Sequence, residues 1–191
     1  MVSTLTKISE DEYLEKEFVA FEKSEYFDGI IIPMAGVSYD HDGITTELLW
    51  LFKNFARKYS FRVFSCDMRV CSPLVRTYFY PDISLAMADN EEFDEKSKCL
   101  LNPVLLIEVL SGSTEMYDKR EKWKAFRAIE SLKEYWFVAQ DSPYIEQFTK
   151  NNQGEWVYKD YSEMEAVVEC KIFPISLQLR DIYAQVRFKN Q

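Results

Sequence analysis

The spacing of apolar and polar positions along this chain changes period several times, and each change predicts an element. In "ISEDEYLEKEFVAF", Ser9 stands three residues before Glu12, the spacing of a capping box. Tyr13, Leu14, Glu17, Phe18 and Phe21 then recur at roughly helical intervals. "EYFDGIIIPM" reads as two strand pieces around Asp28-Gly29, a dipeptide preferred in tight hairpin turns. "DGITTELLWLFKNFARKY" returns to helical spacing, with Ile44, Leu48, Leu51, Phe52 and Phe55 on one stripe. "FRVFS" and "MRVC" predict short strands. "YFYPDISLAMA" and "PVLLIEVL" are the two strongest strand signals, with the charged connection "DNEEFDEKSK" between them. A helix is predicted from about Asp118 to Ile129, then strands in "EYWFVAQ", "YIEQFTK" and "EWVYKDY". "NNQG" joins the last two, and "LRDIYAQV" closes the chain as a short helix. This order predicts an α/β fold with a mixed central β-sheet flanked by helices. No internal repeat, low-complexity tract or linker divides it, so one domain over residues 1–191 is expected.

Composition narrows the class. With 191 residues, 47% of them apolar and 16% aromatic, the chain can bury one sizeable core, and disorder is not expected. Charges interrupt every apolar stretch short of membrane-spanning length, so no membrane partner is expected. The start, "MVSTLTKISEDEYLEKE", lacks the basic region and apolar block of a secretory signal. Cys66, Cys71, Cys99 and Cys170 form no CxxC pair and, with a single histidine, no convincing zinc set. Reduced thiols of a cytoplasmic protein are the expectation. The net charge of −9 argues against broad nonspecific attraction to nucleic-acid phosphates. It leaves room for a local basic segment, "DKREKWKAFR", which carries Lys119, Arg120, Lys122, Lys124 and Arg127.

Against this background one residue stands out. Glu108 lies in "LLIEVLSGST", within a run so apolar that it predicts a strand buried on both faces, where a carboxylate needs a partner. Alternation puts Val104, Leu106, Glu108 and Leu110 on one face. The preceding strong strand carries Asp82 after Pro81, and if the two strands pair, both carboxylates can point to one face of the sheet. Converging carboxylates repel until one takes a proton or a cation sits between them. Hard oxygen ligands suit magnesium or manganese, and such an ion suits phosphodiester hydrolysis, given one further positive group near the phosphorus. Lys122 falls at i, i+4, i+7 with Phe126 and Ile129, which makes it the first candidate for that amine. Lys119, one turn earlier, is the second.

In this arrangement "YPDIS" followed by "LLIEVLSGSTEMYDKREK" resembles the restriction-endonuclease-like nucleases with the PD…(D/E)xK pattern. Within them it most resembles the Uma-two endonuclease family. "ISEDEYLEKE", "EYFDGIIIPMAG", His41, "SLKEYWFVAQ" and "LRDIY" look like that family's landmarks over nearly the whole chain. The resemblance implies that Asp82 and Glu108 are metal carboxylates and that Lys122 is the amine. It also implies that Glu25 and His41 stand near the site in supporting roles. Two departures are visible. Leu110 occupies the position two residues after the glutamate where the wider family carries lysine, and the loop Ser111-Gly112-Ser113-Thr114 has glycine in place of proline.

The leading expectation is therefore a magnesium- (or manganese-) dependent endonuclease acting on DNA. The backbone carbonyl of Val109 would assist Asp82 and Glu108, and Arg62, Arg69 or Arg76 would join the basic helix in holding phosphates. A homodimer would allow both strands to be cut. Each residue also has a bland reading: a structural ion pair for Glu108, strand entry for Asp82, snorkelling for Lys122, a surface pair for Glu25 and a polar turn for His41. Asp118 with Glu121 fits a helix cap. Trp123, Phe126, Tyr135, Trp136 and Phe137 fit a core. The alternatives at the level of function are a catalytically inactive nuclease-fold module acting through protein partners, and a structural subunit of a homo-oligomer.

Overall fold

Helix α1 (Glu10–Glu17) begins where the Ser9 hydroxyl accepts the N–H of Glu12 at 3.2 Å. It is shorter than the apolar spacing predicts. The chain turns after Glu17, because the Glu17 carboxylate accepts both the backbone N–H and the hydroxyl of Ser24, and Phe18 and Phe21 are left exposed. Strands β1 (Ser24–Phe27) and β2 (Ile30–Pro33) form the expected hairpin. Its Asp28 and Gly29 both have positive φ, the geometry of a two-residue turn that follows strand twist. Helix α2 (Tyr39–Tyr59) is capped by Ser38, whose hydroxyl accepts the His41 N–H, and buries Ile44, Leu48 and Phe52. A computed structural model supplies this architecture and describes residues 7–34, 36–72, 74–111 and 118–188. The first six residues and the Gly112-Ser113-Thr114 part of the loop after Glu108 lie outside the described residues.

Two six-stranded sheets follow. Strands β3 (Phe61–Ser65), β6 (Ile83–Met87), β9 (Leu105–Leu110), β10 (Glu134–Ala139), β11 (Ile145–Lys150) and β12 (Trp156–Tyr161) make the central sheet, in the order β12-β11-β10-β9-β6-β3. Its middle pair, β9 and β10, is parallel and the other pairs are antiparallel. The second sheet runs β2-β1-β5-β4-β8-β7, with β4 (Arg69–Ser72), β5 (Thr77–Phe79), β7 (Phe93–Asp94) and β8 (Cys99–Leu100). A separate hairpin, β13 (Val167–Cys170) and β14 (Ile175–Gln178), precedes the short helix α4 (Leu179–Ile182).

Three local expectations are corrected. "YFYPDISLAMA" is not one strand: Tyr80-Pro81-Asp82 breaks it, and β5 and β6 belong to different sheets. Pro81 has no N–H for a ladder and restricts Tyr80, so the chain leaves one sheet and enters the other there. The charged connection carries the short strand β7, which pairs with β8 directly after it, rather than running only through solvent. The helix from Asp118 is a π-helical turn (Asp118–Lys122) followed by one α-helical turn, α3 (Trp123–Phe126). Lys122, Phe126 and Ile129 are nonetheless buried, as their spacing predicts.

The central sheet is covered on both faces, which explains the unbroken apolar run of β9. Leu105, Ile107 and Val109 pack with Ile44, Leu48, Phe52 and the β13–β14 hairpin. Leu106 and Leu110 pack with Phe79, Phe126, Tyr135 and Phe137 between the two sheets. A second buried acid, Glu134, sits on the α2 side. It accepts the Trp136 indole N–H at 2.6 Å, the Lys171 backbone N–H at 2.8 Å, and hydrogen bonds from Gln147 and Cys170. Gln147 in turn accepts from the Tyr161 hydroxyl at 2.8 Å, so this network ties the hairpin to the sheet.

Two predictions follow from Glu134. Glu134→Ala leaves a buried indole and a backbone N–H without their acceptor and is expected to lower stability by about 2–4 kcal/mol in urea unfolding. Burial raises the Glu134 pKa against the opposing pull of its four donors. Its protonated form thus favours the folded state: that contribution is complete below the unfolded value of about 4.3 and is lost as pH rises through the raised folded value. Wild type should therefore lose stability relative to Glu134→Gln as pH rises above about 4.3.

Candidate active site

The carboxylates come together because three layers meet at one end of the central sheet. Glu108 lies on β9 facing the second sheet, since it alternates with Ile107 and Val109 and pairs with Phe137 of the intersheet core. Glu25 comes from β1 of the second sheet, where its carboxylate accepts the Tyr80 backbone N–H at 3.1 Å. Asp118 and Lys122 come from the two ends of the π-helical turn. That wider turn occurs mostly as an inserted residue in helices, often at functional sites. All four side chains are at least nine-tenths buried.

Lys122 is the meeting point. Its Nζ lies 2.9 Å from Glu25 Oε1, 3.2 Å from Glu108 Oε1 and 3.2 Å from Asp118 Oδ1. Asp82 stands beside this group. It directly precedes Ile83, whose register partner is Ile107, so it falls alongside Glu108 at the sheet end. Asp82 Oδ2 accepts the Val109 backbone N–H at 2.7 Å and faces His41 Nε2 at 3.2 Å. His41 belongs to the first turn of α2, so the Ser38 cap fixes the backbone that presents it. A cleft of about 430 Å3 opens on these residues, with Ile32, Val37, Ser38, Tyr80 and Gln140 on its walls. Ser38 donates to Gln140 across that wall at 2.6 Å.

The electrostatics follow from burial and crowding. Burial raises the Glu108 pKa well above the carboxylate range; Lys122 opposes this, and Asp82, Asp118 and Glu25 reinforce it. Glu25 shifts up for the same first reason, against the charge and hydrogen bond of Lys122. Burial pulls Lys122 down, but Glu108, Glu25 and Asp118 outweigh it, so the ammonium stays charged. Burial likewise lowers His41, and the hydrogen bond and charge of Asp82, with the Val109 carbonyl, carry it above the ordinary histidine value. Four carboxylates thus share a cleft with Lys122, the one lysine or arginine among its described lining residues.

The structure brings together Asp82, Glu108, Val109, Lys122, Glu25 and His41, all six of which line the cleft. It separates others. Lys119 points to Glu146 of β11 at 2.6 Å and lies over the Phe137 ring. Arg69 is buried, donating to the Tyr80 hydroxyl and the Ser97 carbonyl, so it cannot hold phosphates. Arg62 and Arg76 pair with Glu91 and Glu10. Asp118, which the sequence offers as a helix cap, instead faces Lys122. Its i, i+4 spacing to that lysine was the available signal. Ser38 and Gln140 carry no comparable signal, because 102 residues separate them.

The donor set suits a hard divalent ion of the magnesium type. Among the described residues no three His, Cys, Asp or Glu side chains form a ready-made metal cage. Magnesium does not require one, since it keeps several waters and takes one or two carboxylates. Asp82 and Glu108 are such a pair. Each engages the protein through one named oxygen, Oδ2 and Oε1.

Comparisons with known proteins give the family and the fold. The Uma2 family model, described as "Putative restriction endonuclease", matches residues 11–182. Two Synechocystis sp. proteins are similar over nearly full length. Uncharacterized protein sll1609 is 33% identical over 176 residues, covering 92% of this chain and 99% of its own. Uncharacterized protein slr1290 is 31% identical over 182 residues, covering 95% and 94%. The crystal structure of a "putative nuclease belonging to DUF820" from Anabaena variabilis shares the fold. It has a TM-score of 0.77 at 19% identity and covers 93% of this chain and 98% of that one. No helix among the described residues is long and apolar enough to cross a membrane. Matched over nearly all of its length, this chain belongs to the Uma2 family.

Proposed function

We propose that this chain is a magnesium- or manganese-dependent endonuclease that hydrolyses phosphodiester bonds in DNA. The observation that carries the reading is the pair Asp82 and Glu108. They stand side by side at the sheet end, joined through Val109, and face a cleft with a charged lysine in its wall. Asp82 Oδ1 and Glu108 Oε2, with the Val109 carbonyl, would hold the ion. Such an ion supplies polarisation of a phosphoryl oxygen and a lowered pKa for the attacking water.

The chain's own groups do the rest. Lys122 is kept protonated by its carboxylates, orients the attacking water and offsets the charge that builds on phosphorus. Glu25 and Asp118 would keep the ammonium in place with Glu108 serving the ion. His41 donates through Nε2 to Asp82 and fixes that carboxylate. With Arg69 buried and Arg62 and Arg76 paired, phosphate contacts fall to the basic residues of the 118–129 segment. Cutting both strands with one site per chain calls for two copies of the chain.

One observation favours the alternative, a nuclease fold without turnover: Lys122 already neutralises part of the charge on Glu108. Plasmid cleavage separates the two. With magnesium present, Asp82→Ala and Glu108→Ala are each expected to cut at least about 100-fold more slowly than wild type. Full-rate cutting by Glu108→Ala ends the reading. Lys122→Met leaves Glu25, Glu108 and Asp118 without their cation. It should cost about 3–5 kcal/mol in metal-free urea unfolding, besides abolishing cleavage.

A further inference from the structure

Tyr135 lies on β10 opposite Leu106, two residues before Phe137, the register partner of Glu108. It therefore shares Glu108's face of the central sheet, one step away on the neighbouring strand. The residue is fully buried. Its ring is fixed by Trp123, Phe126 and Phe137, with centroids at 5.2, 5.6 and 4.7 Å. Those contacts account for an aromatic ring and give no reason for a phenol. Among the described residues the Tyr135 hydroxyl has no hydrogen-bond partner. Burial, and then the charges of Glu108, Asp118, Asp82 and Glu25, keep it protonated, so it is a neutral O–H donor within the field of all four cleft carboxylates.

A buried hydroxyl without a partner is a net cost that phenylalanine would avoid in the same space. On that face of the sheet Glu108 is the diagonal neighbour of Tyr135 across β9, and it is the first charge to act on the hydroxyl after burial. In the present arrangement Glu108 Oε1 is turned to Lys122. Resting on the metal-dependent reading above, we propose that Tyr135 is a positioning residue: its hydroxyl donates to the Glu108 carboxylate and fixes it as a ligand when a divalent ion enters the cleft. Donors that hold a metal ligand from behind commonly tune affinity by about 10–100-fold.

The test compares wild type with Tyr135→Phe in two measurements: metal-free unfolding in urea, and manganese binding by calorimetry. The expected result is unchanged or raised metal-free stability together with manganese affinity weakened about 10-fold or more. Equal manganese affinity in the two proteins overturns the positioning role and leaves the metal site standing. A loss of metal-free stability together with affinity overturns it too, since the hydroxyl would then be holding the fold. If wild type takes up no manganese, the metal-dependent reading fails and this proposal fails with it.

Discussion

The buried ammonium of Lys122 is the contact on which the site depends. Three carboxylates from β1, β9 and the π-helical turn could not share one dry pocket without it, because each would face the desolvation cost and the repulsion of the others. The lysine also links the two sheets near the cleft, since Glu25 belongs to one and Glu108 to the other. Neutralisation is incomplete. With Asp82 added, four acids face one lysine, and burial together with the neighbouring acids raises the Glu108 pKa. A cation entering the cleft would offset that excess of negative charge.

Two buried glutamates on neighbouring strands make the contrast plain. Glu134 starts β10 on the α2 side and Glu108 lies within β9 on the other face. Four donors from the indole, an amide side chain, a backbone N–H and a thiol satisfy Glu134, which does not line the cleft. Its network closes on itself and fastens a hairpin. Glu108 has instead a mobile kind of partner, an ammonium on a flexible stem, and it opens on a cleft. The same residue type thus closes a structural network in one place and lines an open cleft in the other. What distinguishes them is how completely their oxygens are used.

The unpaired polar atoms point the same way. Tyr135 and His41 each bury an atom without a hydrogen-bond partner among the described residues, and both belong to the neighbourhood of Asp82 and Glu108. A chain selected for stability alone would replace such groups with apolar ones of similar shape. Thr45, Thr77 and Ser84 also bury unpartnered hydroxyls, so it is the register with Glu108 and the contact with Asp82 that single out Tyr135 and His41.

The local signals in the sequence determined the elements and most of the acids. Capping by Ser9, the Asp28-Gly29 turn, the helical stripe of α2 and the period-two runs of the strands rest on short-range sterics and alternation, which any reader of the chain can apply. Glu108 was conspicuous because a charge amid leucines and valines contradicts its surroundings. Other features were out of reach: the split at Pro81 into two sheets, the β13–β14 hairpin, the direction of Lys119, the burial of Arg69 and the unpartnered state of the Tyr135 hydroxyl among the described residues. Each depends on which distant strand lies alongside, and side chains separated by tens or a hundred residues leave no trace of that in local spacing. The sequence by itself therefore settled which residues were candidates. Only the packing of one sheet on the other decided which of them share a cleft, because convergence is a property of three-dimensional register and not of order along the chain.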